Sequence, residues 1–513
     1  MTIGSYVPAW AARRPDGLAV AAGPDRVSYA ELEHRARRCA AGLLHLGVRA
    51  GDRMVLWSGK RASTVAAMQA ALRVGAAYVP VSTANPPARV WQIARDCAAA
   101  LVVADPDCAE RARRDPSPPT TRLVDIEVLA CPAPAPGPQP HLPAADDPAY
   151  LLYTSGSTGA PKGVCLSHRN ATAFVEWAGD LLAVAPTDRL ANHAPFNFDL
   201  SVFDLYAAFR GGASVHLVPP EAAYAPVQLA RFIREEGITI WYSVPSVLAL
   251  MIREGLLDGA PPPALRACVF AGEVMPIRHV HQLRAAWPGV RLLNWYGPTE
   301  TNVCTSYEVG DADAGRTRPL PIGRPASGDR VWIEPLPAED GQGAPVDVVA
   351  GLAPGAAGRN GDDTVGEILV SGPTVMLGYW GRPPHRGPYR TGDLGRIAPD
   401  GNLEYVGRRD DMAKVRGNRI EPAEIEAVLV AHPRVAAAAV VVLGTGIAAR
   451  LHAVLVPAGD RPPGLLEVKR WCAQHLPTYM IVDSVQPAEK LPLTANGKTD
   501  RAALVAALEG GGP

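Results

Sequence analysis

Between residues 149 and 296, short runs of β-branched and aromatic residues recur, with amphipathic helical stretches between them. AYLLYT (149–154), ASVHLV (213–218), ITIWYSV (238–244), RACVFA (266–271) and RLLNWY (291–296) have the length and residue types of strands. PVQLARFIREEG (226–237) places apolar residues at helical spacing and closes on glycine. Strand–helix alternation of this kind predicts an α/β fold, a mainly parallel sheet covered by helices. Ligands in such folds gather at the carboxyl ends of the strands.

The chain has 513 residues, more than one hydrophobic core supports, so two or three domains are expected. Past residue 409 the pattern changes: 418–432 reads as a helix, 435–443 and 451–456 as strands, and 467–476 as another helix. This predicts a small, separate α+β domain, with the division falling between 1–409 and 410–513. Proline-rich 131–148 and glycine-rich 353–363 read as surface connections. A net charge of −1 provides no footprint for nucleic acid and no general attraction to an anionic membrane. The eight cysteines are scattered without zinc or C-x-x-C spacing and read as small buried hydrophobes of a reducing compartment. The N-terminus lacks a signal-peptide core, and the longest apolar run, Val435–Leu443, is too short to cross a bilayer. A soluble, cytoplasmic protein is expected.

Directly after the 149–154 strand comes TSGSTGAPKG (154–163), with three glycines, four hydroxyl side chains and one lysine. It fails the G-x-x-x-x-G-K-[ST] pattern, because Pro161 precedes Lys162 and Gly163 follows it. The chemistry still suits phosphate: glycines let backbone N–H groups close on an anion, hydroxyls add donors and the lysine adds charge. Taken alone, a plain Ser/Gly-rich turn remains open. The loop resembles the signature of the adenylate-forming enzymes, which include amino-acid adenylation domains, acyl-CoA ligases and luciferases. Further motifs of that superfamily follow in its order: FDLS (198–201), NWYGPTET (294–301), YRTGD (389–393), GRRDDMAKVRGNRIE (407–421) and LPLTANGK (491–498).

The resemblance implies a large N-terminal domain of mixed and parallel sheets that binds ATP and an amino acid, followed by a small mobile C-terminal lid. It also implies ATP and Mg²⁺ as cofactors. By resemblance, Thr154, Ser155, Gly156, Ser157, Thr158, Gly159 and Lys162 hold the β- and γ-phosphates. Thr299 touches the α-phosphate, and Glu300 ligates the Mg²⁺. Tyr296 offers a face for the adenine, with Asn294 and the turn Ala271-Gly272-Glu273 around the base; Gly297 belongs to the same ATP site, and Asp393 and Arg408 meet the ribose. Lys498 is the implied catalytic cation, reaching from the lid to the substrate carboxylate near the α-phosphate. Asp410 matches the family's hinge, and Gly417 its pantetheine channel.

Asp199 of FDLS occupies the position that grips a substrate ammonium, although a helix N-cap is its ordinary alternative. The implied amino-acid pocket comprises Asp199, Leu200, Phe203, Tyr242, Val269, Ala271, Trp295, Val303, Cys304 and Lys498. Beyond the two charged anchors nothing in that set could pair with a charged side chain, so a small apolar substrate is expected. The set is similar to that of stand-alone prolyl-adenylating enzymes, with Phe203 and Trp295 as departures that could narrow the pocket. Those enzymes imply a free amino acid as substrate and a separate phosphopantetheinylated carrier protein as partner. With fifteen residues after Lys498, a free-standing enzyme without a fused carrier domain is expected. A D-alanine carrier-protein ligase, an acyl-CoA ligase and a non-catalytic scaffold of the same fold are the rival readings.

Overall fold

The computed structural model describes residues 2–115, 121–129, 143–156, 160–223, 225–255, 257, 261–336, 346–348, 365–409, 412–444, 448–459, 461–492 and 499–510. Most of the 131–148 connection and all of 353–363 lie outside these residues. Each strand expected between 149 and 296 is present, as Pro148–Thr154, Ser214–Leu217, Ile240–Ser243, Ala267–Ala271 and Arg291–Tyr296. They divide between two sheets. Among the described residues the first has nine strands, whose interior runs parallel from Arg291–Tyr296 through Ala267–Ala271, Ile240–Ser243, Arg189–Asn192 and Ser214–Leu217 to Leu18–Ala22. The second has seven, with Pro148–Thr154 parallel to Ala77–Val81 and antiparallel to Lys162–Ser167.

The helix Leu200–Gly211 lies between these sheets and is buried from Leu200 to Phe209. That explains its nearly continuous apolar sequence, since a helix enclosed on all sides needs no polar face. Its Tyr206 hydroxyl donates to Tyr78 of the second sheet at 2.9 Å. The arrangement fixes the direction of the residues just before the helix, Phe198 and Asp199.

A five-stranded antiparallel sheet (Val346–Val348, Arg330–Pro335, Gly366–Ser371, Tyr389–Ile397, Leu403–Arg408) follows. It brings Asp393 opposite Arg408. Residues beyond 411 build their own three-stranded sheet from Val435–Leu443, Arg450–Pro457 and Ser484–Pro487. The period-two alternation of its strands is visible in the packing. Val440, Ala453 and Leu455 meet Ile425, Leu429 and Cys472 on one face, while Ala439, Val441 and Val454 meet Leu504 on the other.

One expected element differs. Residues 418–432 do not form a single helix: Asn418–Ile420 is a strand paired with Ala413–Val415, and the helix begins at Pro422. The two central residues of the hairpin, Arg416 and Gly417, have φ of 51° and 82°, the positive pair that a tight two-residue turn demands. Proline at the first helical position then starts Pro422–Val430 where its missing N–H costs nothing. Among the described residues, no helix is long and apolar enough to cross a membrane.

Candidate active site

The glycine-rich loop connects two antiparallel strands, with Thr154 paired to Lys162 across its base. This is a hairpin connection, not the strand-to-helix turn of a P-loop. Ser157, Thr158 and Gly159 lie outside the described residues. Gly156 admits no side chain, because a Cβ there would stand 2.0 Å from the Ala160 carbonyl oxygen. The Thr154 hydroxyl is buried without a hydrogen-bond partner among the described residues, which suits a donor awaiting a ligand.

Lys162 points from the loop toward Glu300, its Nζ 3.8 Å from Oε1 and 4.6 Å from the centroid of the Tyr379 ring. The Tyr379 hydroxyl donates to Glu300 Oε1 at 2.7 Å and accepts from Lys162 at 3.2 Å. Glu300 has no solvent exposure. Burial alone would raise its carboxyl, but the Arg419 guanidinium and the Lys162 ammonium hold it down at about 2. Arg419 Nη1 donates to both Glu300 oxygens, at 3.1 and 2.9 Å. Among the described residues no cluster of three or more His, Cys, Asp or Glu stands ready for a metal ion. A single ionised carboxylate beside a phosphate-suited loop fits Mg²⁺ that arrives with its phosphates, since Mg²⁺ commonly takes only one or two protein carboxylates.

On the other side of Glu300, Thr299 Oγ1 donates to Asp199 Oδ2 at 2.6 Å. Asp199 precedes the Leu200–Gly211 helix but makes no side-chain cap, so its carboxylate is directed into the site. Burial raises the Asp199 carboxyl, and the Thr299 hydrogen bond and the Lys414 ammonium only partly offset this. Asp393, 2% exposed, accepts from Tyr296 Oη and Arg408 Nη1, each at 2.6 Å.

These groups surround a cavity of about 50 Å³ lined by Asp199, Leu200, Tyr242, Ala271, Gly272, Gly297, Thr299, Val303, Asp393 and Arg408, all named from sequence. Gly297 is obligatory there, since a Cβ would meet the Asn302 carbonyl oxygen at 1.9 Å. Phe203, Val269, Trp295 and Cys304, expected in the amino-acid pocket, do not line the cavity. Register places Val269 and Trp295 beside Tyr242 and Ala271 on one face, but their side chains pack into the protein. The Trp295 ring lies edge-on to Phe203 at 5.1 Å and to Tyr242 at 5.3 Å. Trp295 therefore supports the wall and does not itself narrow the space. Asn294 and Tyr296 are likewise outside the lining. The Asn294 amide donates to the Pro321 carbonyl at 2.8 Å. Glu273 spends its oxygens on the backbone N–H groups of Ser246 and Gly417, at 2.9 and 2.5 Å.

Sequence reasoning missed Phe174, Phe198, Asn302, Met412, Lys414 and Arg419 as lining residues. Phe198, Lys414 and Arg419 stand inside motifs already quoted and were legible there, whereas Phe174 arrives from a helix with no local signal. A wider cleft of about 500 Å³ opens beyond Lys162, lined by Tyr379, His385, Arg390, Arg408 and Arg419 among others. Lys498 and Asp410 lie outside the described residues. Gly417 lines the cavity from the lid side.

A nucleotide-suited loop, a buried acidic pair and a cavity closed by a second domain define a class. Residues 7–380 match the AMP-binding enzyme family and 424–498 match the AMP-binding enzyme C-terminal domain; the chain belongs to this family. It is 48% identical, over 97% of its length and 98% of the relative's, to an L-proline–[L-prolyl-carrier protein] ligase of Pseudomonas fluorescens. A ligase of the same name from Streptomyces coelicolor is 41% identical over 93% of this chain and 91% of its own. Among solved structures, o-succinylbenzoate CoA synthetase of Bacillus subtilis superposes with a TM-score of 0.83 at 25% identity, covering 97% of this chain and 98% of that one. A nonribosomal peptide synthetase protein containing adenylation and PCP domains superposes at 0.78 and 26% identity, covering 98% of this chain and 84% of that one.

Asp199→Asn tests the buried anchor, because the amide oxygen can still accept from Thr299. A carboxyl raised by folding costs stability above its folded pKa and nothing below about pH 4, where the unfolded chain is protonated too. The variant is expected to melt about 1–3 °C higher than the parent at pH 8 and at the same temperature near pH 4, by scanning calorimetry.

Proposed function

We propose that this protein activates a small apolar amino acid, best L-proline, as an aminoacyl adenylate. It then transfers the aminoacyl group to the phosphopantetheine thiol of a separate carrier protein. The observation that carries the reading is the Asp199–Thr299 hydrogen bond. It supports reading Asp199 as the carboxylate that binds the substrate ammonium beside Thr299 and Glu300, in a cavity whose apolar wall residues are Phe174, Leu200, Tyr242, Ala271 and Val303. Near full-length relatedness to L-prolyl-carrier protein ligases supports proline as the substrate.

In the first half-reaction a carboxylate oxygen of the amino acid attacks the α-phosphorus, and the bond to the bridging oxygen breaks as pyrophosphate leaves. Both reactants are anions, so positioned cations supply most of the catalysis. Asp199 binds the substrate ammonium and turns its carboxylate toward Thr299. Leu200, Tyr242, Ala271, Val303 and Phe174 exclude water around the side chain. Asp393, held by Tyr296 and Arg408, accepts the ribose hydroxyls. Thr154, Ser155, Gly156 and Lys162 bind the outer phosphates together with Ser157, Thr158 and Gly159. Glu300 would hold Mg²⁺, which neutralises charge on the leaving phosphates. Lys498 meets the reacting carboxylate from the lid. In the second half-reaction the thiol sulfur attacks the acyl carbon and AMP departs. The division at 409/410, with Asp410 as pivot, lets one lid serve both steps, and Gly417 borders the path of the thiol.

Amino-acid-dependent ATP–pyrophosphate exchange is expected with proline at the highest rate and with no acidic or basic amino acid. Preference for a charged amino acid would overturn the pocket argument, since a charge buried without a partner is strongly disfavoured. Lys498→Ala should lower adenylate formation by about 10²–10³ while ATP binding persists, the usual cost of removing one preorganised charged donor. Isothermal titration with ATP alongside single-turnover adenylation separates the two effects.

A further inference from the structure

Three sets of contacts join the C-terminal region to the glycine-rich loop and its surroundings, made by Ser155, Arg419 and Glu424. Ser155, 3% exposed, donates through Oγ to the Arg419 carbonyl at 3.0 Å and accepts from the Glu421 N–H at 3.1 Å. Both hydrogen-bonding roles of a hydroxyl assigned above to phosphate are thereby taken by lid backbone. Arg419 places its guanidinium on Glu300, the carboxylate assigned to Mg²⁺. Outside the motifs, Arg89 of the helix Pro87–Asp96 sets Nη1 2.5 Å from Glu424 Oε1 on the lid helix Pro422–Val430. The two side chains are 6% and 1% exposed, so this ion pair is buried between the domains. The lid helix Leu465–His475 also packs on the Arg89 helix.

A buried pair of this kind is strongly asymmetric. Removing one partner strands the other charge in a dry environment, whereas replacing both with apolar residues of similar size is often neutral or better. Nothing in the amino-acid or nucleotide reading uses Arg89 or Glu424. They lie on the face where the lid meets the large domain with Gly417 at the cavity.

We propose that Arg89 and Glu424 are positioning residues for the thioester-forming step. They latch the lid in the orientation seen here, with Ser155 alternating between the lid backbone and the triphosphate so that latching and triphosphate binding exclude one another. This rests on the functional reading above. It assigns the choice of which half-reaction the site can perform to a pair outside the cavity, whose Glu424 also meets the Gly156 backbone of the glycine-rich loop. Where the latched form dominates, apparent affinity for MgATP is lowered by the fraction of protein that is unlatched.

The test uses the full-length protein with proline, and with pantetheine as thiol acceptor so that carrier docking does not intervene. Arg89→Met and Glu424→Gln are each expected to bind MgATP, without amino acid, about 3–10-fold more tightly than the parent. Both should retain pyrophosphate exchange within about 3-fold and lose at least about 10-fold in thioester formation. The paired Arg89→Met/Glu424→Leu variant should recover most of the thioester rate, because no charge is left stranded. What a merely stabilising contact would not produce is the selective loss of thioester formation with exchange retained in the single variants. Equal loss of both half-reactions in the single variants, unchanged or weakened MgATP binding, or no recovery in the pair would overturn the latch. Absence of proline-dependent exchange in the parent protein would instead overturn the functional reading. If Arg89→Met fails to fold, the more conservative Glu424→Gln and the pair still decide the matter.

Discussion

A carboxylate with no exposure to water persists as an anion only where cations meet it, and in this protein Glu300 is that carboxylate. Its partners come from three separate parts of the chain. Lys162 begins one strand of the seven-stranded sheet, and Tyr379 pairs with Val164 at the edge of the same sheet. Arg419 belongs to the lid hairpin. This set of partners for Glu300 is therefore complete only when the sheet edge and the 413–420 hairpin come together. The low value at which the Glu300 carboxyl is held keeps it charged across the whole range in which the protein would work.

Asp199 shows the opposite balance. Burial raises it, and a single hydroxyl and a lysine only partly compensate. An anion left short of stabilisation is suited to receive a substrate ammonium, whereas one already satisfied would gain little from it. Thr299 joins these two environments, since its hydroxyl binds Asp199 while its chain neighbour is Glu300. The residues that meet Asp199 and the buried Glu300 thus share one short 3₁₀ turn, Thr299–Thr301. The apolar part of the wall is backed by rings behind it: Trp295, which does not line the cavity, is braced by Trp177 at 5.3 Å and by Phe203, and packs edge-on to the lining residue Tyr242.

Much of this was legible from the chain alone. β-Branched runs placed the parallel strands, and the hydroxyl- and glycine-rich loop marked the turn that follows one of them. FDLS located Asp199 and its neighbouring helix. The errors have a common form. Residues 418–432 read as one helix because helical spacing continues through them, but Gly417 and Pro422 punctuate the segment on either side of a strand. Trp295 read as a cavity residue because it lies on the correct face, and strand periodicity specifies the face without specifying depth. The partners of Glu273 and Asn294, backbone groups at Ser246, Gly417 and Pro321, carried no local signal in the sequence.

Sequence by itself determined the kinds of elements, their order, the family motifs and the inventory of charged groups available for chemistry, because periodicity and residue type are local properties. Only the tertiary structure decided which groups meet. The Arg89–Glu424 pair spans 335 positions, and no local pattern marks either residue as half of a contact. It likewise decided which aromatic rings line the cavity and which brace it, and that lid backbone occupies the Ser155 hydroxyl. Burial and pairing depend on distances through space, which are absent from the order of residues along the chain.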